Sequence, residues 1–242
     1  MKRQTGWRAC VFLACSALLV GCVRAGSPAL APVAATKPKV FTQTLIYNSY
    51  PEMDPSVGIT TEVYVFSNVY ETLIRFNPPG SKEQLSPVLA TKWESSNGGK
   101  TWTFHLRQGV KFHDGTHFNA QAVKFSIERT KAKLGPVAFI WDSVKEIKIV
   151  DDYTIIFELS TPAPLDLICT SGYYAWMMSP SIAGKDSAWF NAGHDAGTGP
   201  YTIQSYTRSG PIILSRYDNY WGGWKEGHAV VSGVQLPTPP TG

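Results

Sequence analysis

The chain has 242 residues, enough for one large domain or two small ones, and its 43% hydrophobic and 17% charged residues are ordinary for a globular protein. The formal charge is +4, but Lys2, Arg3 and Arg8 are the only charges in the first 21 residues, and the remainder holds 19 basic against 18 acidic side chains. With no basic stripe or clustered Arg face, a nucleic-acid-binding surface is excluded.

Residues 1–22 have the layout of an export signal. A positive start precedes the apolar run Ala9–Val20, which is short for a bilayer span. The run ends in Leu19-Val20-Gly21-Cys22, similar to the lipobox of bacterial lipoproteins. That resemblance implies a signal peptide over 1–21 and lipidation at Cys22; the alternative is an ordinary signal with an incidental Cys. Cys10 and Cys15 lie in the leader, so Cys169 alone is left and no internal disulfide is available. It sits in the apolar stretch Leu165–Thr170 and reads as a buried small hydrophobe. Residues 22–39, rich in Ala, Pro and Ser, read as a flexible tether.

Gln43–Asn48 is strand-like, and the two prolines of Ser49–Pro55 impose a loop. Val63, Phe66, Tyr70 and Leu73 recur at helical spacing and predict one helix over Thr60–Phe76, capped by Thr60 or Thr61 and stopped at Asn77-Pro78-Pro79-Gly80. Trp93–Ser96 and Lys100–Leu106 read as a hairpin about Asn97-Gly98-Gly99, with Trp102, Phe104 and Leu106 on its buried face. A loop carries Gly109 and Asp114-Gly115. A helix over Ala120–Lys133, capped by Asn119, ends at Gly135-Pro136. Lys145–Val150 and Tyr153–Leu159 pair about Asp151-Asp152. Leu165–Ser179 is apolar and aromatic, of undecided type. After the glycine-rich loop Gly193–Pro200, Tyr201–Tyr206 and Ile212–Tyr217 form a third hairpin across Ser209-Gly210. The fold class is α/β (mixed), with several antiparallel hairpins.

Taken in order, several runs resemble the extracellular solute-binding proteins of peptide- and nickel-type ABC importers. They are Leu89–Trp93, Thr101–Arg107, Gly109–Gly115 with Phe118-Asn119-Ala120, then Gly197-Thr198-Gly199-Pro200-Tyr201 and Asn219-Tyr220-Trp221. Weaker matches are Met53-Asp54-Pro55 and Asn68–Leu73. Ala122 departs from the family, which has an acid near that helix start. By their chemistry these runs are turns and core positions first, so they read as fold-defining rather than ligand-binding.

The resemblance implies a periplasmic-binding-protein-like lobe I from residues 40–75 and 160–236, with a small α/β subdomain inserted at 76–159. Residues 237–242 would begin a crossover to a second lobe missing from this sequence. Hinge closure needs two faces, so weak peptide binding, or none, is expected of the chain as it stands. The implied role is solute capture outside the cytoplasm by a monomeric, membrane-anchored carrier that hands small peptides to ABC permease subunits, with no cofactor. Ligand contacts are expected from Ser49, Tyr50 and Pro51, and from Tyr173, Tyr174 and Trp176, whose aromatic faces suit a permissive peptide site but equally suit packing within the lobe. A nickel chelate, haem or a sugar are alternative ligands.

Two other classes compete. His113 and His117 are four apart, but Asp114-Gly115 between them is a turn, and neither HExxH nor paired CxxC occurs. Asp151-Asp152, or Glu52 with Asp54, have the chemistry of an acid/base pair, but the first sits at a hairpin tip, and there is no Gly-x-Ser-x-Gly elbow or phosphate loop. A structural lipoprotein without ligand is the remaining alternative.

Overall fold

The computed structural model describes residues 52–208 and 211–224. Helix α1 spans Val63–Val69 and is followed by strands β1 (Ile74–Phe76), β2 (Leu85–Pro87), β3 (Ala90–Ser96) and β4 (Thr101–Leu106). Helix α2 is Ala120–Lys133, and β5 (Val144–Asp151) and β6 (Thr154–Leu159) complete an antiparallel sheet of order β3-β4-β6-β5. Helices α3 (Leu165–Ile168) and α4 (Ser187–Asn191) precede the ribbon of β7 (Tyr201–Ser205) and β8 (Ile213–Arg216). No helix among the described residues is long and apolar enough to cross a membrane.

The sheet follows from period-two patterning. Trp102, Phe104 and Leu106 of β4 and Ile155, Phe157 and Leu159 of β6 are buried on one face. Trp102 pairs with Phe157 and Phe104 with Ile155, so two separate hairpins fuse through their inner strands. In the first connection Asn97, Gly98 and Gly99 all have positive φ, which the Asn-Gly-Gly run tolerates. Lys100 belongs to that turn, because strand pairing resumes at Ser96–Thr101.

Helix α2 starts where its cap predicts. The Asn119 side chain accepts from the Ala122 N–H at 3.1 Å, so Asn119→Ala is expected to cost about 1 kcal/mol by urea denaturation. Lys124 and Lys131 donate to the carbonyls of Ile147 and Val144 and lay the helix along β5. Its end differs from expectation: Leu134, not Gly135, takes the left-handed cap at φ 50°.

The helix expected over Thr60–Phe76 is a correction. It runs only from Val63 to Val69; Tyr70 is extended and β1 follows. The reason is tertiary. The Val69 carbonyl accepts from Gly199 and the Glu71 carbonyl from Met177, both at 2.9 Å, so the backbone finds distant partners in place of the next helical turn. Nor is the start capped by Thr60 or Thr61: Glu62 occupies the cap position, and its carboxylate accepts from the backbone N–H groups of Glu52 and Thr60 and from the Thr60 hydroxyl.

Apolar side chains of the described residues cluster in two places. One centres on the sheet and α2 and reaches Leu73, Leu165, Cys169 and Met177. The other joins Met53, Phe66, Val69, Tyr70, Trp176, Met178 and Phe190. The undecided stretch Leu165–Ser179 is short helix α3 and then a buried run, Tyr174–Met178, feeding both.

Candidate functional site

A single acid organises the region around Tyr70. Glu71 lies where the chain leaves α1, and its carboxylate faces three donors from distant segments. Tyr220 donates to Oε1 at 2.9 Å, while the Thr198 hydroxyl and the Trp221 indole N–H donate to Oε2 at 2.9 and 2.6 Å. Burial pushes the Glu71 carboxyl above its ordinary range, against the opposing hydrogen bonds from Trp221, Tyr220 and Thr198. Burial and the neighbouring Glu71 raise the Tyr220 phenol as well, so it keeps its proton and donates. Arg107 lies over the Trp221 ring at 4.5 Å.

The glycine-rich loop closes on the same place. The Gly197 carbonyl accepts from the His113 N–H at 2.9 Å, and the Gly199 N–H donates to Val69. Asp114 accepts from Ser179, Ser181 and Thr116. Burial opposes ionisation of Asp114, but these bonds outweigh it and lower its carboxyl. Buried Asp54 binds Arg129 of α2 at 2.6 Å and so anchors Met53-Asp54-Pro55. The runs read as fold-defining thus meet in hydrogen-bonded contact.

Beside Glu71 is a shallow hollow of about 180 Å³ whose wall includes Ser67, Tyr70, Arg75, Trp176 and Tyr220. Of the expected ligand contacts, Trp176 borders it, only 6% exposed, with its buried indole N–H lacking a hydrogen-bond partner among the described residues. Tyr174 lies inside the unit: its hydroxyl donates to the Val57 carbonyl at 2.8 Å and its ring packs on Gly135. Tyr173, 44% exposed, is open to solvent. Ser49, Tyr50, Pro51 and Cys22 lie outside the described residues.

Sequence reasoning missed Glu71 as a hub. The available signal was a lone acid in the otherwise uncharged Asn68–Leu73 run. The rival chemistries gain no geometry. His113 is engaged by Asp195 and the Gly199 carbonyl, while exposed His117 is bridged by backbone to Lys111. Among the described residues no group of three or more His, Cys, Asp or Glu is placed to hold a metal. Asp151 caps the β5–β6 turn by accepting from the Tyr153 N–H. Cys169 is buried, which drives its thiol far above the usual range and away from a nucleophile's thiolate.

Known proteins agree with this scaffold. The family model described as bacterial extracellular solute-binding proteins, family 5 Middle, matches residues 84–236. The dipeptide-binding protein of Escherichia coli (strain K12) is 34% identical over 214 residues, covering 76% of this chain and 39% of that protein. The oligopeptide-binding protein OppA of Bacillus subtilis is 30% identical, covering 65% and 32%. Among solved structures, the periplasmic binding protein DppA from Helicobacter pylori, in complex with peptide STSA, superposes with a TM-score of 0.60 at 30% identity, covering 72% of this chain and 38% of that one. The nickel ABC transporter from Bacillus halodurans gives a TM-score of 0.62 at 29% identity, covering 74% and 35%. The chain therefore spans about two fifths or less of the length of these relatives. It belongs to the bacterial extracellular solute-binding proteins of family 5.

Proposed function

We propose that the protein is the solute-capturing component of a peptide-type ABC importer, acting outside the cytoplasm without catalysing a reaction. The observation that carries this reading is the union at Glu71 of three separated runs that mark the family, Asn68–Leu73, Gly197–Tyr201 and Asn219–Trp221. A scaffold so fastened holds the hollow beside Trp176 open as one wall of a solute site. In this reading residues 40–75 and 160–236 are pieces of lobe I, and 76–159 is the inserted subdomain. Residues 1–21 serve as the export leader, Cys22 carries lipid, and the monomer hands its solute to permease subunits. Small peptides are the favoured solute because the relatives named above include dipeptide- and oligopeptide-binding proteins.

The wall is shallow, so solute contact by this chain is one-sided and weak. We expect affinities of about millimolar, roughly 4 kcal/mol of binding free energy. Saturation-transfer NMR of the 242-residue chain with a pool of short peptides at millimolar concentration checks this. Transfer to peptide protons is expected, and Arg75→Ala, an exposed side chain of the hollow's wall, should weaken it. No transfer, or cleavage of the peptides, contradicts the reading.

A further inference from the structure

His113 faces two groups that only accept. Its Nδ1 meets the Asp195 carboxylate, and its Nε2 lies 2.8 Å from the Gly199 carbonyl oxygen. A neutral imidazole has one N–H and satisfies only one of them. Water has little access, since the two side chains are 5% and 7% exposed. Asp195 is also held from behind: its Oδ2 accepts from the Ile203 N–H at 2.8 Å, and its Oδ1 from the Gly197 N–H at 3.5 Å. Those donors favour the carboxylate over the acid.

The surrounding charges are otherwise occupied. Tyr217, after β8, presents its ring edge at 4.8 Å. Arg216 and Asp218 on either side of it pair with each other at 2.9 Å. Asp114, next to His113, is taken by Ser179, Ser181 and Thr116. His194, next to Asp195, stacks on Trp189.

We propose that His113 is a doubly protonated latch, an imidazolium held between Asp195 and Gly199 that clamps the 193–200 loop to the 109–117 loop. Loss of one ring proton turns a nitrogen lone pair onto a carboxylate or a carbonyl oxygen, and either contact repels. The clamped loop also carries Thr198 to Glu71, so the latch bears on the hub.

The test is NMR of the 15N-histidine-labelled chain at pH 7.5. The His113 signals are assigned in a variant carrying His105→Gln, His117→Gln, His194→Gln and His228→Gln, or by the four single substitutions if the combined variant does not fold. Two protonated ring nitrogens are expected for His113. One nitrogen with a lone-pair shift overturns the proposal, and that includes the arrangement with the proton on Asp195. This readout does not depend on solute binding.

Discussion

Gly197→Ala is expected to lower stability by more than about 4 kcal/mol, a large part of the roughly 5–15 kcal/mol that holds a typical domain folded. A Cβ at residue 197 would lie 1.9 Å from the Val69 carbonyl oxygen and 2.7 Å from its carbon. Both are backbone atoms, so no rotamer change relieves the clash. Retreat is blocked on each side. The Val69 carbonyl is bonded to the Gly199 N–H, and the Gly197 carbonyl to the His113 N–H, each at 2.9 Å. Gly199→Ala is expected to act in the same direction with a smaller effect, since its Cβ would stand 2.7 Å from the Asn68 and Val69 carbonyl oxygens. Guanidinium denaturation followed by circular dichroism gives the comparison. A Gly197→Ala chain within about 1 kcal/mol of wild type would show that the loop does not pass so close to α1.

The second large effect is at Glu71. Removing its carboxylate strands the Thr198, Tyr220 and Trp221 donors at once. Each unsatisfied buried group costs about 1–3 kcal/mol, so Glu71→Ala is expected to lose about 3 kcal/mol, less where water enters the gap and takes up a donor. The pH dependence follows from the direction of its shift. Because burial raises the folded carboxyl above its unfolded value, the folded state holds this proton more tightly. The associated stability is complete below about pH 4.3, the unfolded value, and falls as pH rises through the folded one. The deficit of Glu71→Gln relative to wild type should therefore narrow as pH rises from 4 upward; a deficit that widens would reverse the sign.

The parts of this fold that were readable in the sequence are those settled by local chemistry. Strands β4 and β6 announced themselves by alternation, their partners by the turns at Asn97-Gly98-Gly99 and Asp151-Asp152, and α2 by its Asn119 cap. What misled was anything settled by a partner far along the chain. Val63, Phe66, Tyr70 and Leu73 keep helical spacing, but the helix stops at Val69 because Met177 and Gly199 take the backbone carbonyls beyond it. Gly197 and Gly199 read as a bend; the structure shows instead that the loop lies too close to α1 to admit a side chain. The turn at Asp114-Gly115 argued against pairing His113 with His117, but nothing local pointed to its partner, Asp195, on another loop.

The site was legible to a smaller degree. Tyr173, Tyr174 and Trp176 are consecutive enough to look alike, but the chain turns at Gly172–Tyr174, with Tyr174 left-handed at φ 65°, and sends neighbours to different surroundings. One is open, one hydrogen-bonded inside, and one borders the hollow. No composition or spacing rule separates them, because the distinction comes from how Tyr174–Met178 threads between two clusters of apolar side chains.

If Glu71 truly pins remote stretches of the polypeptide together, disabling it and Trp221 must not be independent events. A double-mutant cycle of Glu71→Ala with Trp221→Phe, which removes the indole donor while keeping an aromatic ring, measures this by urea denaturation. A coupling energy of at least about 1 kcal/mol is predicted; single effects that add to within about 0.5 kcal/mol would mean that no such fastening exists.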